Sequence, residues 1–237
     1  MPGALHLIPS SLGEIPWPTY LPAETRDAAC RLKRFIAENA KTARAELKRL
    51  GHPMPLREIA IEQLPEKLSP ADIERLLAPL TAGHDVGLMS EAGCPGVADP
   101  GAPLVRRAHE LCIPVKPLVG PSSLLLALMA SGLEGQRFAF HGYLPAREPE
   151  RSKRIAELEK ESARRHETQI FIEAPYRNEA LFKALLAALG EKTRLCIAAD
   201  LTLPGETIAT RTVGEWRRLP APGIDRRPTV FLLLRTT

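Results

Sequence analysis

The chain has 237 residues, enough for one large domain or two small ones that each bury a core, and 44% of it is hydrophobic, which excludes a disordered chain. With 32 Lys and Arg against 28 Asp and Glu its formal charge is +4, which permits an anionic partner without demanding one. The four cysteines are scattered, with no CxxC or Cys/His spacing, so neither a disulfide framework nor a metal site is indicated. The opening residues carry no basic segment followed by an apolar run, and no stretch of about 18 apolar residues occurs; the expectation is a soluble, cytoplasmic protein.

In chain order, Leu5 to Ile8 predicts a first strand, ended by a loop with Pro9, Ser10, Ser11 and Gly13. A helix is expected from Thr25 to about Lys33, a short strand at Phe35 to Ala37, and a basic helix from Ala40 to Leu50 with Gly51 as its C-terminal cap. Leu56 to Ile61 alternates like a strand, and Ser69-Pro70 signals an N-cap with proline in the first turn of a helix to about Leu80. Val86 to Met89 predicts a buried strand, followed by the loop SEAGCPGVADPG. Gly93, Gly96 and Gly101 allow positive φ or close backbone approach there, while Pro95, Pro100 and Pro103 stiffen it. A rigid loop after a strand is where open α/β sheets bind ligands, although the residues alone leave an elaborate turn equally open.

A helix is expected from Ala102 to Leu111 and a strand from Ile113 to Val119. The sequence LLLALMASGL, beginning at Leu124, is apolar on every side and predicts a buried helix with Ser122 and Ser123 at its N-terminus. Phe138 to Leu144 is a strand, and the following polar segment predicts a helix on which Arg147, Arg151 and Arg154 share a face, open to a polyanion or simply to water. Gln169 to Glu173 and Arg194 to Ala199 are strands, with Asn178 capping the helix between them. Thr207 to Val213, a helical turn from Glu215 to Leu219, and a β run from Thr229 to Leu234 complete the chain. Strands alternating with helices define an α/β protein with largely parallel sheets. No Gly-x-Gly occurs among the 16 glycines, which excludes the dinucleotide fingerprint and the P-loop.

Taken together, SEAGCPGVADPG, VGPSS followed by ALMASGL, FHGYLP, IFIEAPYR and a late GET resemble the tetrapyrrole methylase superfamily. Within it, the chain is most similar to the small-subunit ribosomal RNA methyltransferase I family, over nearly its whole length and in the right order. The resemblance implies two α/β domains, 1–117 and 118–237, a homodimer, and S-adenosylmethionine held in a cleft between the domains. It assigns Cys94, Val97, Ser122, Ser123, Ile172, Ala198 and Pro228 to the cofactor. Of the carboxylates in matching segments, Glu38 and Glu91 are the candidate proton acceptors, with Asp99 beside them. Pro9, Ser10, Ser11, Gly13, Asn39, Lys41, Arg147 and Arg151 are assigned to substrate. The implied reaction is 2'-O-methylation of a cytidine ribose in small-subunit ribosomal RNA, with a tetrapyrrole-like small molecule, or cofactor or RNA binding without turnover, as the alternatives. Two segments depart from the family: PSSLGEI stands where it reads PTPIGNL, and AENAK where it reads AEDTR. A C-terminal extension common in the family has no counterpart here.

Overall fold

Two separately packed units, Met1–Ser122 and the residues from Ser123 onward, make up the computed structural model, which describes residues 1–235. The first unit is a five-stranded sheet ordered β3-β2-β4-β1-β5, from β1 (Leu5–Ile8), β2 (Arg34–Ala37), β3 (Ala60–Gln63), β4 (Val86–Met89) and β5 (Val115–Pro117). All its pairings are parallel. Parallel neighbours need crossovers, and α1 (Ala23–Arg31), α2 (Ala40–Arg49), α3 (Pro70–Thr81) and α4 (Ala102–Glu110) lie between consecutive strands. β4 takes the centre because VGLM is apolar throughout, and every residue of it is buried. Gly87 is required there: a Cβ would come within 2.6 Å of Ile8 Cδ1 and 2.7 Å of Phe35 Cδ1.

Local signals set the helix ends of this unit. Ser69 Oγ accepts the Asp72 amide and the Asp72 carboxylate accepts the Ser69 amide, a reciprocal capping box. Asn39 Oδ1 accepts from the amides of Lys41 and Thr42 and so starts α2, while Gly51, at φ +70°, ends it. Two strand assignments shift. The β3 strand begins at Ala60 because residues 56–58 turn, closed by the Glu58 amide on the Pro55 carbonyl at 2.8 Å. The β5 strand shrinks to three residues at the sheet edge, where Pro117 withholds a donor.

The second unit holds a sheet ordered β6-β7-β10-β8-β9, from β6 (Phe138–Tyr143), β7 (Thr168–Ile172), β8 (Arg194–Ala199), β9 (Thr207–Thr212) and β10 (Thr229–Leu234). Here the expectation of largely parallel sheets is corrected. Only β6 and β7, joined through α6 (Glu150–Arg165), run parallel; β7–β10, β10–β8 and β8–β9 are antiparallel. A tight turn between Asp200 and Glu206 permits the β8–β9 hairpin, and β10 inserts between β7 and β8 with all six residues buried. The Phe171 and Phe231 rings stack at 5.9 Å across that pairing.

Three further expectations change in this unit. The apolar helix α5 (Ser123–Ser131) buries Ala127, Leu128 and Ser131 but leaves Leu125 and Met129 exposed, so uniform apolarity did not mean uniform burial. Asn178 does not cap α7 (Asn178–Ala188): it is fully buried, and its amide group donates to the Ile224 and Arg227 carbonyls and to Thr229 Oγ1. Val213 leaves β9 to begin α8 (Val213–Trp216), because Thr212 and Glu215 form a second capping box. No helix among the described residues is long and apolar enough to cross a membrane.

Candidate functional site

In a parallel sheet all strands end at one edge, and in the first unit that edge gathers Pro9 after β1, Glu38 after β2 and Ser90 after β4. The first loop and the central loop are joined there as a short antiparallel bridge. The Ser10 amide donates to the Gly93 carbonyl at 2.9 Å and the Gly93 amide to the Ser10 carbonyl at 3.1 Å. Ser10 Oγ donates to the Ser90 carbonyl at 2.9 Å, and Ser90 Oγ to the Gly93 carbonyl at 3.0 Å.

The central loop is then folded on Asp99, whose Oδ1 accepts the amides of both Gly96 and Gly101 at 2.8 Å. Burial pushes the Asp99 carboxyl above its usual range, partly opposed by those two amides. Gly93 and Gly96 take φ of +72° and +80°, as glycines readily do; Ala98 takes +60°, which the sequence did not signal. Gly101 instead serves close approach, a Cβ there lying 3.0 Å from Leu88 Cδ2. Cys94 Sγ reaches the Pro121 carbonyl at 3.3 Å, with its thiol pushed up by burial, and so draws the central loop to the segment ending in Ser122.

Glu38 and Glu91 meet at this edge. The Glu91 amide donates to Glu38 Oε2 at 3.3 Å. Burial raises the Glu38 pKa, the amide opposes the rise, and the nearby Glu91 and Asp99 carboxylates add to it. Glu91 itself is exposed.

One organising residue was missed in the sequence. Glu46 is 4% exposed and accepts from the Ser11 amide, Ser11 Oγ, the Tyr20 hydroxyl and Arg49 Nη1. It ties the loop after β1 to α2, and Tyr20 is held protonated by burial and by that bond. Spacing alone was a partial signal: Glu46 falls on the buried Ala43-Leu47-Leu50 stripe of α2, while Lys41, Arg44 and Lys48 face out. Pro9, Ser10 and Ser11 are buried in this network, Gly13 is half-buried, and Asn39 is committed to its cap. Lys41 is exposed in line with Arg44 and Lys48.

In the second unit Ile172, Ala198 and Pro228 lie at one end of the sheet. Val230 pairs with both Ile172 and Ala198, and the Pro228 carbonyl accepts the Asp200 amide at 2.9 Å. Ser123 opens α5. The arginine segment is less free than its composition implied. Arg151 is bound to Glu148 at 2.9 Å and Arg154 to Glu157 and Glu161 at 3.3 Å, leaving Arg147, Arg164 and Arg165 exposed.

The central loop is folded on the half-buried Asp99 carboxylate at the carboxyl edge of a parallel sheet, and a second, mixed sheet follows. The chain belongs to the tetrapyrrole (corrin/porphyrin) methylase family, whose model matches residues 23–216. It is an S-adenosylmethionine-dependent methyltransferase. Its sequence is 30% identical over 233 residues to the ribosomal RNA small subunit methyltransferase I of Xylella fastidiosa, covering 98% of this chain and 81% of that protein. It is 39% identical over 142 residues to the protein of the same name from Escherichia coli O157:H7, covering 60% of this chain and 48% of that one. The fold is similar to the crystal structure of the methyltransferase CobJ, with a TM-score of 0.65 at 16% identity over 98% of this chain and 94% of the other.

The residues present suit the cofactor. Its sulfonium is a cation, and the Glu38 and Glu91 carboxylates stand at the same edge as the loop. Gly96 has no heavy atom within 4 Å of where a Cβ would sit, and Val97 is 48% exposed, so the loop offers open backbone beside apolar surface.

Proposed function

We propose that this chain methylates small-subunit ribosomal RNA, at the 2'-hydroxyl of a cytidine ribose. The observation that carries the reading is the Glu38–Glu91 contact at the carboxyl edge of the first sheet. A ribose hydroxyl must give up a proton as it is methylated, and a carboxylate with a raised pKa is a better acceptor for it than an ordinary one. Glu38 takes that role in this reading, with the Glu91 amide fixing its orientation. The cofactor, when bound, supplies an electrophilic methyl group. The protein's own task is chiefly positioning, since holding two reactants in line is worth roughly 7–11 kcal/mol.

This reading keeps Cys94, Val97, Ser122, Ser123, Ile172, Ala198 and Pro228 as cofactor contacts. The name shared by the X. fastidiosa and E. coli relatives supports the RNA substrate. Two further elements belong to the proposal: a cytoplasmic location, and a homodimer, for which the exposed Leu125 and Met129 of α5 offer apolar surface. Sedimentation of the purified chain checks the dimer.

The deciding experiment is transfer of a labelled methyl group from S-adenosylmethionine into small ribosomal subunits from cells lacking the gene, followed by nucleoside analysis. Label in 2'-O-methylcytidine is the expected result. Label in a base, or none despite cofactor binding, overturns the assignment and turns the search to a small-molecule acceptor or a binding role.

A further inference from the structure

Tyrosine is scarce in this chain, which has three. Tyr20 is buried on Glu46, whereas Tyr143 and Tyr176 are 63% and 69% exposed. Both exposed rings come to one place. Tyr143 ends β6 in register with Ile172 of β7, and Tyr176 follows that strand in the 3-10 turn Pro175–Arg177. The pairing of β6 shifts register between Phe140 and Tyr143, where Gly142 takes φ +63°. Such irregularities re-aim the side chain beside them.

A guanidinium completes the cluster. Arg177 lies 5.4 Å from the centre of the Tyr176 ring, and both phenols are within electrostatic reach of it. It is held in place from below: Arg177 Nε and Nη2 donate to Glu173 Oε1 at 3.0 and 2.6 Å, and the Glu173 side chain is fully buried. The same oxygen accepts the Ala174 amide at 2.7 Å, so one carboxylate fixes both the arginine and the loop backbone. Two water-facing rings beside a fixed cation are not core packing.

We propose that Tyr143, Tyr176 and Arg177 form a base-stacking platform for an unpaired stretch of RNA. The inference rests on the RNA reading above and adds residues that grip the strand. Bases of a single strand can present their faces to aromatic side chains, whereas those of a duplex are already stacked on one another. The guanidinium meets a phosphate or a base plane, which suits the sequence-tolerant grip of a stacking site. Exposed Arg147, four residues beyond Tyr143, extends the positive surface.

The test uses the full chain and a short single-stranded RNA carrying 2-aminopurine, whose fluorescence is quenched on stacking. Tyr143→Ala and Tyr176→Ala are each expected to weaken binding about tenfold and to remove quenching, in line with typical stacking contributions. Tyr→Phe at either position retains both, because the ring and not the hydroxyl is used. Cofactor affinity, read by calorimetry, stays at the wild-type value in all of them, which separates loss of RNA grip from loss of fold. The salt slope of binding is unchanged in the tyrosine variants and falls by about one in Arg177→Gln. Wild-type RNA affinity in both alanine variants, in a protein that methylates small subunits, overturns the platform and leaves the function standing. A wild-type chain that neither binds nor methylates RNA overturns both.

Discussion

The Glu91 amide donates to Glu38 Oε2 at 3.3 Å, joining the residue that follows β2 to the loop that follows β4, 53 positions later. Glu38 is thereby fixed half-buried at the sheet edge with its pKa raised, first by burial. Its contribution to stability is therefore full below the unfolded pKa and is lost as pH rises through the higher folded one. Glu38→Gln, which keeps an oxygen for the Glu91 amide, is expected to raise the melting temperature at neutral pH, with the gain shrinking toward acid. Methyl transfer by the wild type should rise with pH through a midpoint above the ordinary 4.5, and the variant should lose at least a hundredfold in rate. Paired melting curves and pH–rate profiles check both halves.

Asp99 is the pin of the central loop through its bonds to Gly96 and Gly101. Replacing it with Ala strands two amides and should cost about 1–3 kcal/mol in urea unfolding. Cofactor affinity should fall with it, while Asp99→Asn, which still accepts, should recover most of both. Calorimetric titration with S-adenosylmethionine reads the second effect.

Glu46 is more demanding than any single loop residue, because four donors converge on one buried carboxylate. Glu46→Ala leaves Arg49 without its ion-pair partner and Tyr20 without its acceptor, a loss of about 3 kcal/mol. Tyr20→Phe removes one bond only and should cost about 1 kcal/mol. Equilibrium denaturation of the two variants, compared with the double variant, measures how far the bonds act together.

Gly120 packs against the turn after β1, where an added Cβ would lie 2.3 Å from Pro9 Cβ and 2.9 Å from Leu21 Cδ2. Gly120→Ala should destabilise by about 1–3 kcal/mol through this overlap. Gly132→Ala is its contrast: nothing lies within 4 Å, but φ is +65°, so only backbone strain is incurred. Thermal unfolding of both separates crowding from strain.

Much of the fold was legible where conformation is decided locally. The Ser69-Pro70 start, Gly51 at the end of α2, and the strands at Leu5, Arg194 and Thr229 were all read from residues within a turn or two of where they act. The Thr212 to Glu215 capping box was equally local and was overlooked, which misplaced the end of β9 by one residue. The Gly/Pro loop was recognised as a loop, but its pin was not: nothing in SEAGCPGVADPG says that Asp99, rather than Glu91, turns inward.

By itself the sequence determined the alternation of strands and helices, the caps, the rigid loop after β4 and the family motifs, because backbone propensity and capping act over a few residues. Only the tertiary structure decided that β10 enters the second sheet antiparallel, that Glu46 is drawn inward, that α5 keeps an apolar face open and that Arg151 and Arg154 are neutralised by Glu148, Glu157 and Glu161. Strand direction and the inward turn of Glu46 depend on partners brought together by packing: Ser11 meets Glu46 across 35 positions. The exposure of α5 depends on what the rest of the chain leaves uncovered. A charge becomes a binding group or a brace according to which partner reaches it first, and that is settled by the fold.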